Sequence, residues 1–131
     1  MEKTKDLVEV KENKAWEESF NNEAWIAPLV DILETEDHFV LMAYMPGVSK
    51  DNAKVKMEDN YLTLMGRLDR YDELKEMKYI VKETEFGNYY RKFNLTDSID
   101  DSKIEAEMKN GVLTVVLPKH ERIKPKTIEI K

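Results

Sequence analysis

The chain has 131 residues, no cysteine, 37% charged residues and a formal net charge of −6. That length suffices for one hydrophobic core with short arms, and the missing cysteines exclude both a disulfide framework and a zinc–thiolate site. No apolar run approaches the roughly 18 residues of a membrane span, the charged amino terminus has no signal-peptide core, and an acidic chain without a basic stripe disfavours nucleic acid, so a soluble, cytoplasmic protein is expected.

Residues 1–27 differ from the rest of the chain. Charged residues dominate, with Leu7, Val8, Val10, Trp16, Phe20 and Trp25 scattered among them. Trp16 and Phe20 are four apart and fall on one side of a short helix, which Asn21-Asn22 would end. Too few apolar positions recur for a separate core, so a mobile arm is expected. Both tryptophans lie in this arm, and packing back onto the main domain is an alternative to exposure.

From Pro28 onward the pattern is β. Leu29 to Thr35 reads as a first strand and Glu36-Asp37 as a turn. His38 to Met45 is strongly apolar and stops at Pro46-Gly47, and Val48 to Asn52 is loop. Ala53, Val55 and Met57 alternate with charged residues, the period of a half-buried strand. Asp59-Asn60 turns the chain into Tyr61–Met65. All four glycines (Gly47, Gly66, Gly87 and Gly111) fall at element boundaries, as a sandwich of short strands requires.

Arg67 to Glu85 is charged and lacks glycine and proline, and a loop of this length inside a domain is usually functional. A helix over Tyr71–Tyr79 is also compatible with its pattern. Asn88 to Leu95 is the next strand, with Tyr89, Arg91, Phe93 and Leu95 on one face. An arginine there needs a partner or an interface. Thr96 to Ser102 is a polar loop. Ile104, Ala106 and Met108 alternate with charged residues, and Asn110-Gly111 then supplies the two positive-φ positions of a type I′ hairpin turn. Val112 to Leu117 returns, apolar on both faces, so it should be central and covered. Pro118 ends it. The total is about eight strands and little helix, an all-β, two-sheet antiparallel sandwich.

The hairpin also carries a resemblance. Ala106-x-x-x-Asn110-Gly111-Val112-Leu113 followed by Val115-x-Leu117-Pro118-Lys119 closely resembles the signature ending of the α-crystallin domain of small heat-shock proteins. Met45-Pro46-Gly47-Val48, Lys50-Asp51 and Glu58-Asp59-Asn60-x-Leu62-Thr63 look like the family's first half. Gly87-x-Tyr89-x-Arg91-x-Phe93-x-Leu95 resembles its later strand, although Thr96 stands where the family usually has proline. The resemblance implies an immunoglobulin-like α-crystallin sandwich over residues 28–119, an arm over 1–27 and a carboxy-terminal extension over 120–131.

The resemblance further implies that the long loop carries a short strand pairing with a neighbouring subunit. Tyr71, Leu74, Met77, Tyr79 and the interface arginine Arg91 would then form a homodimer contact; an ion pair within one sandwich is the alternative for Arg91. Near the terminus, Ile128-Glu129-Ile130 matches the family's anchor, beyond a linker containing Lys119, Arg122, Lys124 and Lys126. It would enter a groove of another subunit walled by Val55, Met57, Ile104 and Ala106, building higher homo-oligomers.

There is no glycine-rich phosphate loop for ATP, and His38 and His120 have no metal-pair spacing. The serines at 19, 49, 98 and 102 lack a nucleophile elbow, and no carboxylate pair stands out. No enzyme, cofactor or metal is expected. The function implied is an ATP-independent holdase whose arm residues Trp16, Phe20 and Trp25 capture unfolded client proteins. Seven methionines, Met57 and Met108 among them, suit tolerant binding as well as core packing. A CS-domain-like co-chaperone with one defined partner is the alternative.

Overall fold

The computed structural model describes residues 16–95, 98–121 and 125–131; residues 1–15, Thr96 with its neighbour Asp97, and Arg122 to Lys124 lie outside that description. Residues 16–22 form helix α1. Then come β1 (Trp25–Ile26), β2 (Leu29–Glu34), β3 (His38–Tyr44), β4 (Ala53–Glu58), β5 (Tyr61–Gly66), α2 (Tyr71–Glu76), β6 (Asn88–Asn94), β7 (Glu105–Lys109) and β8 (Val112–Pro118). Single 3-10 turns occupy Lys50–Asn52 and Asp101–Lys103. No helix among the described residues is long and apolar enough to cross a membrane.

The strands form two four-stranded sheets, β1-β6-β5-β4 and β2-β3-β8-β7, antiparallel except where β1 joins β6 in parallel. Alternation assigns the faces. Leu41 and Ala43 on β3, Leu113, Val115 and Leu117 on β8, and Leu62 and Leu64 on β5 meet between the sheets, each at most 2% exposed. Burying a leucine or valine in this layer contributes about 1.5–3 kcal/mol per side chain. Two tight turns set the register. Asn110 and Gly111 have φ of 51° and 75°, and Asp59 and Asn60 have 51° and 66°, both pairs left-handed as a type I′ hairpin requires.

Three observations refine the sequence reading. First, α1 and β1 are part of the fold, so the last portion of the expected arm packs on the sandwich. Second, the Arg67–Glu85 loop holds the helix α2, the alternative its pattern allowed, over Tyr71–Glu76. Arg70 and Glu73 pair across one turn, and Asp72 and Glu73 sit at the positive end of the backbone dipoles. Among the described residues, 77–87 join no sheet. Eight strands result within the protomer, β1 among them. Third, β8 is central yet covered on one face only. Val112, Thr114 and Val116 are half-buried, shielded sideways by Tyr44, Met42 and Val40 across the ladder. Arg91, as its alternation indicates, lies on the inward face, opposite Leu64. The two-residue β1 covers only Asn88 and Tyr89, so the guanidinium emerges where the sheet edge reopens.

Gly111 is held by conformation and by space: a Cβ there would sit 3.2 Å from the Pro46 Cα. Replacing Gly111 with Ala should therefore lower stability by about 1–2 kcal/mol, read from the denaturant midpoint, the cost of forcing a side chain into left-handed backbone. Asn110→Gly, which keeps that conformation open, should leave the midpoint nearly unchanged.

Candidate functional site

Three surfaces gather the residues singled out in the sequence. The first is a trough between β4 and β7. Each strand is last in its sheet, so inward side chains at this end have no further strand beside them. Ala53, Val55, Ala106, Met108 and Leu113 line the opening, with Lys50 and Glu107 at its rim, around a volume of about 580 Å³. Of the expected wall residues, Val55 and Ala106 line the trough directly. Met57 and Ile104 lie half-buried against the core on the same two flanks. The anchor is elsewhere: residues 125–131 adopt no regular structure, and Ile128 and Ile130 are 83% and 92% exposed.

The second set comprises two exposed apolar stretches, the long loop and the outer edge of β2. After α2, Met77, Tyr79, Ile80 and Val81 all face solvent, Ile80 almost completely at 95%. Tyr71 does not join them. It is buried in the protomer's own core, and its phenol oxygen accepts from the Ala24 backbone N–H at 2.7 Å. Leu74 packs against the same core. Helical spacing explains this, since positions 71 and 74 share a face and α2 turns that face inward. The expected contact set thus divides, with Met77 and Tyr79 outward and Tyr71 and Leu74 inward. The Arg91 guanidinium donates to the Pro28 carbonyl at 3.3 Å and lies 4.8 Å from the Phe93 ring centre. Among the described residues, no carboxylate pairs with it. Among the described residues β2 pairs only with β3, and it carries the exposed Leu29, Ile32 and Leu33.

The third surface is the aromatic cluster of the arm. Phe20 stacks on Trp25 with ring centres 4.3 Å apart and meets Tyr90 of β6 edge-on at 5.2 Å; Trp16 is 5.9 Å from Trp25. An open cleft of about 380 Å³ lies beside them, with Lys56, Tyr61 and Lys92 along its floor.

Beneath the helix is a polar network that the sequence did not disclose. Arg67 donates from Nε to Ser19 Oγ at 3.0 Å and from Nη2 to Glu23 Oε2 at 2.9 Å. Asn88, fully buried, donates to Glu23 Oε1 at 2.8 Å while its Oδ1 accepts from the Leu68 N–H. Ser19 also donates to Glu23, and its carbonyl accepts from the Trp25 indole. The arginine and asparagine lie 44 to 69 positions from their partners on the helix side, and no local pattern connects them. The one available cue was an arginine directly after an apolar strand.

Burial alone would raise the Glu23 carboxyl's pKa, but hydrogen bonds from Arg67, Ser19 and Asn88 and the Arg67 charge outweigh it and hold it below the ordinary range. A lowered folded value means that this contribution is complete above the ordinary glutamate pKa of about 4.3 and is lost as pH falls through the folded value. Tryptophan emission, from residues that both lie in this cluster, should hold steady at neutral pH and shift to the red in acid. Glu23→Gln should flatten that transition.

Comparison with known proteins places these surfaces in context. Residues 31–131 match the model of the Hsp20/alpha crystallin family. The chain is 34% identical over 111 residues to small heat shock protein C4 of Rickettsia felis, covering 85% of this chain and 68% of that one. It is 37% identical over 106 residues to a probable 15 kDa heat shock protein of Leptospira interrogans, covering 81% and 79%. Among solved structures, heat shock protein 16.0 from Schizosaccharomyces pombe superposes with a TM-score of 0.64 at 33% identity, over 82% of this chain and 78% of that one. A small heat-shock protein from Xylella fastidiosa, described as having a distinct high-order structure, gives 0.64 at 30% identity over 82% and 99%.

Proposed function

The chain belongs to the Hsp20/alpha crystallin family of non-enzymatic, ATP-independent stress chaperones, and from that premise we propose that it is a holdase that binds partly unfolded proteins and limits their aggregation. The observation that carries this reading is the amount of apolar surface left without a partner in one protomer. Ile128 and Ile130 stand free on the tail, Ile80 and Val81 on the loop, and Leu29, Ile32 and Leu33 along an open strand edge. Apolar side chains exposed at several places in one protomer serve association. The family match over residues 31–131 favours a general chaperone over a co-chaperone with one defined partner.

Assembly follows from the same surfaces. The segment Met77–Val81 of one protomer pairs with the open edge of β2 in another, a strand addition whose backbone bonds give affinity and whose alternate side chains give register. Arg91, whose guanidinium reaches the Pro28 carbonyl just before β2, takes a carboxylate from the neighbour in this reading. The tail then enters the β4–β7 trough of a further subunit. Burying two isoleucines gains about 3–6 kcal/mol gross. Ordering three backbone residues costs a comparable ~3–6 kcal/mol. Each anchor is therefore weak alone and holds through multiplicity.

In turbidity assays without ATP, near-stoichiometric protein should keep a heat-labile client in soluble complexes; no suppression at any temperature would point instead to a single-partner co-chaperone. Light scattering separates the two contacts. Ile128→Ala with Ile130→Ala should reduce the assembly to dimers, and an unchanged mass would refute the anchor. Ile80→Lys should reduce it to monomers, because a charge is then forced against the apolar edge.

A further inference from the structure

The aromatic side chains proposed to hold clients are not free in the protomer. Phe20 is packed between Trp25 and Tyr90, and α1 lies over the outer face of the β6 end of its sheet. What fastens the helix there is largely polar: a carboxylate, a guanidinium, a hydroxyl and an amide. The backbone adds the two-residue pairing of β1 with β6 and a bond from the Asn88 N–H to the Ala24 carbonyl at 2.8 Å. That close approach depends on Gly87, where a Cβ would stand 3.0 Å from the Ala24 oxygen.

We propose that Ser19, Glu23, Arg67 and Asn88 form a latch that holds α1 against the sheet, and that its release uncovers Trp16, Phe20, Trp25 and Tyr90 as a capture surface for apolar segments of non-native proteins. This rests on the holdase reading and supplies its regulation.

The composition of the seat is what makes it openable. When α1 lifts, the Glu23 carboxylate, the Arg67 guanidinium and the Asn88 Nδ2 turn to water, while Asn88 Oδ1 keeps its 2.8 Å bond to the Leu68 N–H. Of the buried groups, the Tyr71 phenol oxygen gives up the Ala24 N–H and keeps its own O–H to donate, so the penalty that accompanies an unpaired polar group inside a protein falls on one hydroxyl lone pair. Water already reaches the pair, since the side chains of Arg67 and Glu23 are 36% and 15% exposed. The sandwich centre of Leu41, Leu62, Leu64 and Val115 stays between the sheets, and the core gives up only Ile26 of β1 at its edge. Opening is thus a local event, below the free energy of global unfolding. Its hinge is Ala27-Pro28, where Arg91 keeps hold of the Pro28 carbonyl. Closed, the protein covers part of each aromatic ring by stacking it on its neighbours and on Tyr90; open, it presents the whole surface without losing its fold.

The chain's two tryptophans both belong to the latched element, so intrinsic fluorescence reports on it alone. The experiment compares full-length wild type with Glu23→Gln and Arg67→Lys. It reads acrylamide quenching of tryptophan, the far-ultraviolet circular dichroism melt of the sandwich, and the amount of protein needed to keep reduced insulin chains in solution at 25 °C without ATP. The latch predicts about two- to threefold more quenching and about half the protein needed, with an unchanged sheet melt, because only a local opening has been favoured. Wild-type quenching in both variants overturns it, as does raised quenching with an unchanged insulin dose. A sheet melt that falls together with the quenching change in both variants also overturns it, since the helix would then be no separate element. A wild type that cannot protect insulin at all refutes the holdase reading instead, and the two failures are distinct because quenching is read without any client.

Discussion

An open sandwich of two four-stranded sheets has four edges, and each is a row of backbone donors and acceptors with no strand beside it. How this chain treats those edges organises everything outside its core. β4 alternates Ala53, Val55 and Met57 inward with Lys54, Lys56 and Glu58 outward, and β7 likewise flanks Ala106 and Met108 with Glu105, Glu107 and Lys109. Charge on the outer row discourages another sheet from stacking there, while the inward row leaves an apolar trough open from the side. β2 is built oppositely. It exposes Leu29, Ile32 and Leu33, and its two carboxylates, Asp31 and Glu34, are engaged by Tyr44 and Lys119 of the same protomer. One flank of the sandwich therefore suits side chains inserted from a tail, and the other suits a whole added strand. The β1 edge is only two residues long, too short to template pairing.

The core makes these edges dependable. Leucines and valines from β3, β5 and β8 meet midway between the sheets, and two left-handed hairpin turns fix which residues face them. A one-residue slip in β7 against β8 would put Glu105 and Glu107 into the trough and turn Ala106 and Met108 to solvent. The Asn110-Gly111 turn prevents that slip, and so the chemistry of the trough depends on a turn some distance from it.

Legibility in the sequence tracks the range of the interactions involved. Seven strands could be read to within about one residue at either end, because alternation and turn residues are local signals. Residues 25–26 carry no alternation, and their place beside Asn88 is set by a glycine and a carbonyl more than sixty positions apart, so β1 could not be read. The same is true of Glu23, whose distant partners sit at the ends of β5 and β6. The α2 helix was visible as an alternative because Tyr71 and Leu74 have helical spacing, yet pattern alone could not say which way that face turns. Apolar residues on both sides of β8 suggested cover on both sides. Cross-strand neighbours supply half that cover, and no period in the sequence separates lateral shielding from a layer overhead.

The tail and the helix solve one problem in the same way. An apolar group that is to be hidden at some times and offered at others must leave its seat without stranding polar atoms. Ile128 and Ile130, proposed as the anchor, lie between the exposed Lys126 and Lys131, whose charges can stay in water whether the isoleucines are buried or free. Trp16, Phe20 and Trp25 ride on an element whose remaining bonds run through a carboxylate and a guanidinium close to water. Had Asn88 been a leucine and Glu23 a valine, α1 would bury more apolar area and hold more firmly. Its departure would then expose that extra area, and the aromatic surface would stay shut at every temperature the sandwich survives. A fully buried asparagine beneath a helix looks like a cost in the closed state. It is better understood as the feature that lets the closed state end while the fold persists.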